Sequence, residues 1–229
     1  KIVDALPITE NLRYLPDRKE PEIETFMDFS ASEGILKEAE KCNGSGDCRK
    51  SEVFGGVMCP SYRATRDEKD TTRARANALR FFLTQSEKKN PFNHNELKEV
   101  FSLCLSCKAC ATECPSSVDV TSLKAEFLYQ YQKENGISWR TKLFAYNNQL
   151  NVFGRRFKGV TNFMFSNKMS SSLIKKSFGV ASRRSLPLLS SVSLDGYYQS
   201  AKNQLINSNS IKKIYLFNDE FTNQLDSQI

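Results

Sequence analysis

The stretch Cys104-Leu-Ser-Cys107-Lys-Ala-Cys110-Ala-Thr-Glu-Cys114-Pro115 places four thiols within eleven residues. Gaps of two, two and three residues before a Cys-Pro pair are typical of cysteines that bind 4Fe–4S clusters. The short gaps curl the backbone around one corner of a cubane, so that three thiolates reach three irons and the fourth points toward a second cluster. The proline fixes φ and removes a hydrogen-bond donor where the chain leaves the site. The stretch therefore predicts an iron–sulfur protein.

A second, looser set of cysteines lies upstream and ends in another Cys-Pro pair, Cys59-Pro60. Because this pair resembles Cys114-Pro115, we expect the two sets to exchange their last cysteines. The predicted ligands are Cys59, Cys104, Cys107 and Cys110 for the first cluster, and Cys42, Cys48 and Cys114 for a second cluster. Backbone amides of residues 43–47 and 105–109 are candidates for hydrogen bonds to the cluster sulfurs.

The second set lacks one thiol, because Ser45 stands where a complete motif would have a cysteine. Three outcomes fit this substitution: a 3Fe–4S centre, a 4Fe–4S centre with a ligand that is not a thiolate, or no second cluster. Ligation by the Ser45 oxygen is the least favoured of the chemical options, since a serine hydroxyl gives up its proton far less readily than a thiol.

Zinc, disulfides and a catalytic triad are weaker interpretations of these residues. A structural zinc site usually separates two ligand pairs by a longer loop than this run contains. Disulfides require an oxidising compartment and usually an even number of cysteines, whereas the chain has seven. The single histidine, His94, precedes a helical pattern, where a cap or loop role is the default, and nothing supports a nucleophile–histidine set around it.

The positive charge is concentrated in the C-terminal part of the chain. The net charge is +7, and residues 137–229 hold 13 Lys and Arg against 4 Asp and Glu, whereas residues 1–136 hold 20 against 22. A basic segment indicates nucleic acid, an anionic membrane or an acidic partner domain. No nucleic-acid motif accompanies the charge, so we expect no nucleic-acid partner. No stretch approaches the roughly 20 apolar residues of a membrane span.

The periodicity of apolar residues predicts a mainly α protein. Helices are expected over residues 35–40, 67–83, 95–103 and from about 119 to Asn135, so that helices flank each cysteine motif. Residues 140–180 also read as helical and carry six phenylalanines among basic residues. Packing into a core is the first interpretation of these aromatics, and a helix lying on an anionic membrane is the alternative. Ile211 to Phe217 resembles a buried strand.

Four segments carry a family resemblance: Cys42-Asn-Gly-Ser-Gly-Asp-Cys48, Gly56-Val-Met-Cys59-Pro60, Thr72-Arg-Ala-Arg75-Ala-Asn77 and Leu103 to Pro115. They resemble the iron–sulfur part of bacterial FAD-linked oxidoreductases of the D-lactate and D-2-hydroxyglutarate dehydrogenase-like type. The resemblance covers about residues 30–223. It implies an FAD-binding part before this chain, and after it a cysteine-rich domain like those of heterodisulfide reductase and of the glycerol-3-phosphate dehydrogenase iron–sulfur subunit.

The predicted fold is an α-helical ferredoxin-like cluster-binding domain, a helical C-terminal extension and a terminal strand of a truncated α/β domain. The expected divisions are an extended linker over 1–30, the 4Fe–4S domain over 31–136, a basic helical extension over 137–210, and the start of the cysteine-rich domain over 211–229. The chain begins at Lys1 without methionine, so we expect it to be a piece of a longer protein.

The resemblance implies an electron-transfer module that passes electrons from flavin to a downstream acceptor, either a quinone or another protein. The chain alone is not expected to oxidise a hydroxy acid, because FAD belongs to the missing part. The implied partners are the upstream FAD domain, the downstream cysteine-rich domain and an acceptor at the membrane. The expected location is the cytoplasm or the inner face of the membrane. The alternative is a docking domain with a structural cluster, whose basic, Phe-rich region binds partner domains or membrane.

Overall fold

The fold is seen in a computed structural model that describes residues 20–206 and 215–226, together with residues 7, 9, 10, 12, 17 and 18. The side chains of residues 203–206 are not described. The chain divides into two compact units, Lys1–Gly136 and Ile137–Ile229, called unit 1 and unit 2 below. The described residues form helices and no strand, so the prediction of a mainly α fold is confirmed.

Unit 1 contains the cysteines and six described α-helices. These are α1 (Ile35–Glu40), α2 (Pro60–Thr65), α3 (Thr72–Gln85), α4 (Asn95–Ser102), α5 (Ala109–Glu113) and α6 (Val120–Asn135). The two long helices begin at side-chain caps: the Thr71 hydroxyl accepts from the Ala74 amide, and the Asp119 carboxylate accepts from the Thr121 and Ser122 amides. The α6 helix ends at Gly136, whose φ of 78° suits glycine.

The helix predicted from residue 67 begins five residues later, at Thr72. Asp67 instead caps a short 3-10 turn, Glu68–Asp70, by accepting from the Lys69 amide. Thr71 then adopts an extended conformation, with φ −86° and ψ 159°, which separates the turn from α3. This break has a consequence for the cysteines, because it exposes the first amides of α3 in the interior of unit 1.

The core of unit 1 is formed by α3, α4 and α6. Leu79, Leu97 and Leu123 are fully buried, one from each helix. Phe101 and Phe127 are also fully buried, and their rings stack with centroids 5.2 Å apart. Burying side chains of this size supplies most of the free energy that holds three short helices together.

Residues 20–29, the end of the predicted linker, lie along unit 1 without forming a helix. The buried carboxylate of Glu126 accepts the backbone amides of Phe26 and Met27, at 2.9–3.1 Å. The Phe26 ring stacks on Tyr129 with centroids 4.7 Å apart. This segment is therefore attached to α6 by hydrogen bonds to the Glu126 carboxylate, by the hydrogen bond that Gln130 Nε2 donates to the Glu24 carbonyl, and by one aromatic pair.

A second buried carboxylate, Glu38 on α1, makes unit 1 sensitive to acid. Burial raises its pKa, but hydrogen bonds from Lys41, Ser32 and the Asp119 amide outweigh burial, so that the pKa lies below its ordinary value. A carboxylate whose folded pKa is depressed adds stability above its unfolded pKa, and that stability is lost as pH falls through the folded pKa.

We therefore expect the thermal midpoint of unit 1 to fall as pH is lowered below about 4.5, and Glu38→Gln to flatten that dependence. Thermal unfolding between pH 7 and pH 3 measures the effect. Glu22→Gln is the matched control, because Glu22 is exposed. Equal slopes for the wild type and Glu38→Gln would contradict the assignment of the acid sensitivity to Glu38.

Unit 2 breaks the predicted helical stretch 140–180 into four short helices. The described helices are α7 (Trp139–Ala145), α8 (Asn147–Arg156), α9 (Lys158–Ser166), α10 (Lys168–Phe178), α11 (Leu194–Ile206) and α12 (Glu220–Gln224). Core packing of the aromatics, the first interpretation, is wrong for Phe144, Phe153, Phe157 and Phe163, which are exposed. Within α7 to α10, the one buried residue is Ser171.

The predicted strand 211–217 lies largely outside the described residues. Of its described part, Tyr215, Leu216 and Phe217 form no strand and are exposed, because an isolated strand has no partner for its backbone hydrogen bonds. Among the helices that the structure describes, none is both long and apolar enough to cross a bilayer.

Candidate metal centre

Four predicted ligands line one cleft in unit 1: Cys59, Cys104, Cys107 and Cys110. Cys59 reaches it from the start of α2, and the other three come from the loop between α4 and α5 and the first turn of α5. The remaining walls of the cleft come from α2, α3, α6 and the α4–α5 loop. The structure thus brings together the four cysteines that the Cys-Pro argument assigned to the first cluster.

The backbone around this cleft is unusual, because non-glycine residues there adopt left-handed conformations. Cys59, Ser106 and Lys108 have φ values of 54°, 53° and 62°. Such values are uncommon outside glycine and concentrate at functional sites. Ser106 and Lys108 turn the chain sharply between Cys104 and Cys110, as the short gaps between these cysteines require.

Two helix N-termini direct amides at the thiols. The Thr72 amide, at the start of α3, donates to Cys59 Sγ at 3.0 Å, and the Thr72 hydroxyl oxygen lies 2.9 Å from the same sulfur. The backbone amides of Val120 and Thr121, at the start of α6, lie near the Cys110 thiol and act to lower its pKa. The first amides of a helix have no partner within the helix and carry partial positive charge, so they favour a thiolate.

Burial opposes this effect and keeps the thiols protonated when no cation is bound. It raises the pKa of Cys59 to about 11 and also raises those of Cys48 and Cys110, although the hydrogen bonds act in the opposite direction. Positive groups lie nearby, because Lys124 donates its ammonium to the Cys104 carbonyl and Arg75 lines the cleft. Buried thiols with amide donors and cations around them fit a group that binds thiolates and supplies positive metal ions.

Two members of the second predicted set, Cys42 and Cys48, lie close together. Both are buried, Cys42 adds to the rise in the pKa of Cys48, and the side-chain amide of Asn77 lies 4.0 Å from Cys42 Sγ. The Arg73 amide hydrogen-bonds Cys48. Cys114 is half-buried at the end of α5. Cys48 is also near Cys59, so the two sets are neighbours in unit 1.

No three cysteine, histidine, aspartate or glutamate side chains converge as ligands of one ion within the part of the chain that the structure describes. Thiolates that hold a cubane each bind a different iron, so they stand further apart than the ligands of a single tetrahedral ion. The observation that supports a cluster site is therefore that four thiols line one cleft.

The segment that contains the cysteines is similar to known iron–sulfur proteins. Residues 41–119, which include all seven cysteines, match the family model of a 4Fe-4S dicluster domain. These residues are similar to that family, and they are called the dicluster domain below. The chain is similar to D-2-hydroxyglutarate dehydrogenases over most of its length, so the resemblance read from the cysteine motifs is confirmed.

Three bacterial proteins named D-2-hydroxyglutarate dehydrogenase are among the relatives of this chain. The protein of Pantoea ananatis is 29% identical over 68% of this chain and 18% of its own length. Those of Haemophilus influenzae and Escherichia coli K12 are 23% and 27% identical, over 85% and 83% of this chain and 22% and 23% of their own lengths. The chain thus spans about a fifth of the length of the curated relatives that it matches. No solved structure matches it.

Ser45, the departure within the dicluster domain, is exposed and already has a partner. Its amide donates to Asn43 Oδ1 at 3.0 Å, and its hydroxyl hydrogen-bonds Asp47. His94 immediately precedes α4 but does not cap it, because its Nε2 lies 2.8 Å from Ser86 Oγ. Neither residue contributes to the cleft.

Sequence reasoning missed one residue that holds Cys59 in place within the dicluster domain, Glu113 on α5. Its carboxylate accepts from the Val57 and Met58 amides at 2.9 Å, just before Cys59. A Cβ added at Gly56 would lie 2.7 Å from Glu113 Oε2, and Gly56 has φ of 66°. The Gly55-Gly56 pair before Cys59 was the available signal, because it marks a close approach to the backbone.

Replacing Glu113 with alanine should release the loop before Cys59 and weaken metal retention. The hydrogen bonds are partly exposed, so we expect a loss of only about 1 kcal/mol of folding stability. The iron loaded anaerobically should leave several-fold faster when a chelator is added. Glu99→Ala, an exposed carboxylate on α4, is the control. Identical release rates for Glu113→Ala and Glu99→Ala would rule out the role of Glu113.

Proposed function

We propose that the dicluster domain of this chain carries electrons, one at a time, from a flavin in the parent protein to a downstream acceptor. The presence of a 4Fe–4S domain and the similarity to dehydrogenases support an iron–sulfur electron-transfer role. The observation that carries the proposal is the cleft lined by four thiols, one of which, Cys59, accepts a hydrogen bond from the first amide of α3.

In this proposal Cys59, Cys104, Cys107 and Cys110 hold the first cluster, whose irons supply one-electron chemistry when it is bound. The chain contributes ligation, burial and hydrogen bonds, which together set the reduction potential. The amides at the starts of α3 and α6 and the hydroxyl of Thr72 stabilise negative charge on the sulfurs, so they favour the reduced form. Val120, which is buried in the cleft wall, limits the access of water.

The second site is proposed at Cys42, Cys48 and Cys114, with the same three outcomes that Ser45 leaves open. The hydrogen bond between the Ser45 hydroxyl and Asp47 adds to the reasons against a serine ligand. The proximity of Cys48 to Cys59 suits a transfer of electrons between neighbouring sites.

The larger scheme concerns parts of the protein beyond this chain. A D-2-hydroxy acid would deliver a hydride, that is two electrons, to FAD in an upstream domain. The clusters would accept these electrons singly and pass them through a cysteine-rich domain to a quinone or another protein. The names of the relatives suggest D-2-hydroxyglutarate as the acid.

Iron and acid-labile sulfide, measured per chain after anaerobic reconstitution, test the proposal. About four of each indicates one filled cubane in the cleft, and about seven or eight irons indicates that both sites fill. Stoichiometric zinc with no iron would overturn the redox proposal.

A second candidate function, docking to an anionic membrane, is favoured by the exposed aromatics of unit 2. Trp139, Phe144, Phe153, Phe157 and Phe163 are all more than half exposed. They lie in a unit that holds 13 Lys and Arg against 4 Asp and Glu. Exposed aromatics with surrounding cations suit an interface of anionic lipid headgroups.

Co-sedimentation with vesicles that contain phosphatidylserine tests this second function. We expect binding that weakens as salt is raised and that Phe153→Ser/Phe157→Ser reduces, with Phe81→Ser in unit 1 as the control. No binding, or equal binding to neutral vesicles, would contradict membrane docking. These aromatics would then be assigned to the binding of a protein partner.

A further inference from the structure

One buried cation, Arg75 on α3, forms part of the wall of the cysteine cleft. Its side chain is 2% exposed, and it lines the same cleft as the four thiols. A buried guanidinium is costly unless its donors are satisfied, so the positions of its partners are informative. Cluster ligation itself does not require this residue.

The partners of Arg75 lie on three different segments that lead to the thiols. Nη1 donates to Ser61 Oγ at 3.0 Å, and Ser61 is the second residue after Cys59. Nε donates to the Val100 carbonyl at 3.1 Å, on the helix that delivers Cys104.

The third segment is the 3-10 turn that precedes α3. Nη1 and Nη2 bond the Asp70 carbonyl and Asp70 Oδ1, at 2.6 and 3.3 Å. Asp70 stands two residues before Thr72, whose amide and hydroxyl meet Cys59 Sγ. The planar guanidinium therefore connects the Cys59 segment, the Cys104 segment and the donor to Cys59.

Bonds among the partners make this arrangement rigid. The Ser61 hydroxyl donates to the Asp70 carbonyl at 2.9 Å, and the Thr65 hydroxyl donates to Asp70 Oδ2 at 2.8 Å. Both ends of α2 are thereby attached to the turn before α3. Lysine has a single ammonium on a flexible stem and cannot satisfy the same three segments in one plane.

We propose that Arg75 is a positioning residue, which holds Cys59 at a defined distance from Cys104, Cys107 and Cys110 so that a cluster can bind all four thiols. This inference rests on the proposed function, because it concerns the geometry of the same cleft. Cys104, Cys107 and Cys110 lie on one tight loop, whereas Cys59 lies on a separate segment, which Glu113 holds just before Cys59 and the guanidinium holds just after it.

The consequence is specific to one corner of the cluster. If Cys59 is displaced while the loop cysteines stay in place, the iron bound by Cys59 is the one exposed to loss. Adding ferricyanide as a one-electron oxidant then releases one Fe²⁺ and removes one electron, which leaves an oxidised three-iron cluster on Cys104, Cys107 and Cys110. Ferricyanide is reduced to ferrocyanide by that electron. A loss of folding alone would instead release all the iron together.

The test compares Arg75→Lys and Ser61→Ala with wild type in the whole chain, loaded anaerobically and then treated with ferricyanide. Electron paramagnetic resonance measures the oxidised three-iron form, and far-ultraviolet circular dichroism measures helix content. We expect the three-iron form to appear about tenfold faster in Arg75→Lys, the factor for losing one hydrogen bond to a charged group. Ser61→Ala removes one contact and keeps the pairing with Asp70, so it should show a smaller effect.

Two comparisons decide between positioning and folding. Arg73→Lys is the control, because Arg73 lies on the same helix and pairs with Glu68 at the surface. Cys59→Ser should itself give the three-iron form, and adding Arg75→Lys to it should change nothing further if Arg75 acts through Cys59. An additive effect in the double variant, or loss of helix in Arg75→Lys with no three-iron signal in either Arg75→Lys or Ser61→Ala, would overturn the inference.

The wild-type sample separates this inference from the proposed function. If wild type binds no iron, the electron-transfer proposal fails. If wild type holds about four irons and Arg75→Lys releases them at the wild-type rate, the inference about Arg75 fails by itself.

Discussion

Cys107→Ser should lose most of the iron of the first site, about four atoms per chain, while the helix content of unit 1 stays close to that of wild type. Cys107 is the middle cysteine of the loop, and it is exposed at the mouth of the cleft. Its replacement leaves Cys104 and Cys110 without the thiol between them, and a serine hydroxyl does not supply a thiolate. The core of α3, α4 and α6 does not include Cys107, so the fold does not depend on it.

Iron analysis after anaerobic reconstitution and far-ultraviolet circular dichroism measure the two parts of this expectation. Cys114→Ser is the matched control, because Cys114 is assigned to the other site and should leave the first four irons in place. Retention of full iron in Cys107→Ser would contradict the ligand assignment. Loss of iron together with collapse of the helical signal would favour a structural cluster over an electron carrier.

Phe127→Ala should lower the free energy of unfolding of unit 1 by about 3–5 kcal/mol. Phe127 is fully buried, and its ring stacks on Phe101 and contacts Tyr131, with centroids 5.2 and 5.7 Å away. Alanine leaves a cavity between α4 and α6 that the helices cannot close without moving, and the aromatic contacts are lost as well.

Anaerobic urea unfolding measures this loss. Phe81→Ala is the control, because Phe81 is a phenylalanine of the same unit that is 56% exposed, and we expect it to cost less than about 1 kcal/mol. A midpoint for Phe127→Ala within the error of the Phe81→Ala midpoint would show that α4 and α6 do not share a core at this position.

The cleft was partly predictable because three of its cysteines are close together in the sequence. The gaps between Cys104, Cys107 and Cys110 require a tight turn, and the structure shows that turn in the left-handed residues Ser106 and Lys108. The similarity of the two Cys-Pro pairs predicted that Cys59 shares a site with Cys104, which lies 45 residues later in the sequence. The structure places both cysteines in the same cleft. The role of these cysteines as ligands stays a prediction that iron analysis tests.

The donors to the sulfurs were not predictable from the cysteine motifs. Loop amides next to the cysteines were the expected candidates, whereas Cys59 accepts from the Thr72 amide at the start of α3, and the Val120 and Thr121 amides at the start of α6 lie near Cys110. For Cys59 the cause is the break at Thr71, because α3 begins in the interior at Thr72 and not at the predicted residue 67. A capping threonine is visible in a sequence, but the sulfur that its helix faces is not.

For the aromatics of unit 2, the sequence predicted burial that the structure does not show. A helical pattern rich in phenylalanine was interpreted first as a core, yet the chain divides there into short helices that leave most of those rings exposed. Periodicity predicts that residues share a helical face, but it does not identify what covers that face.

The sequence by itself determined the mainly α fold and the similarity to iron–sulfur dehydrogenases, because cysteine spacing and apolar periodicity are local properties of the chain. Only the tertiary structure decided which side chains surround the thiols. Arg75 and Glu113 act across segments that are far apart in sequence, and a guanidinium or carboxylate that holds two segments together has no local signature. Such residues are recognised from burial and from the atoms that they meet, and both exist only after the helices have packed.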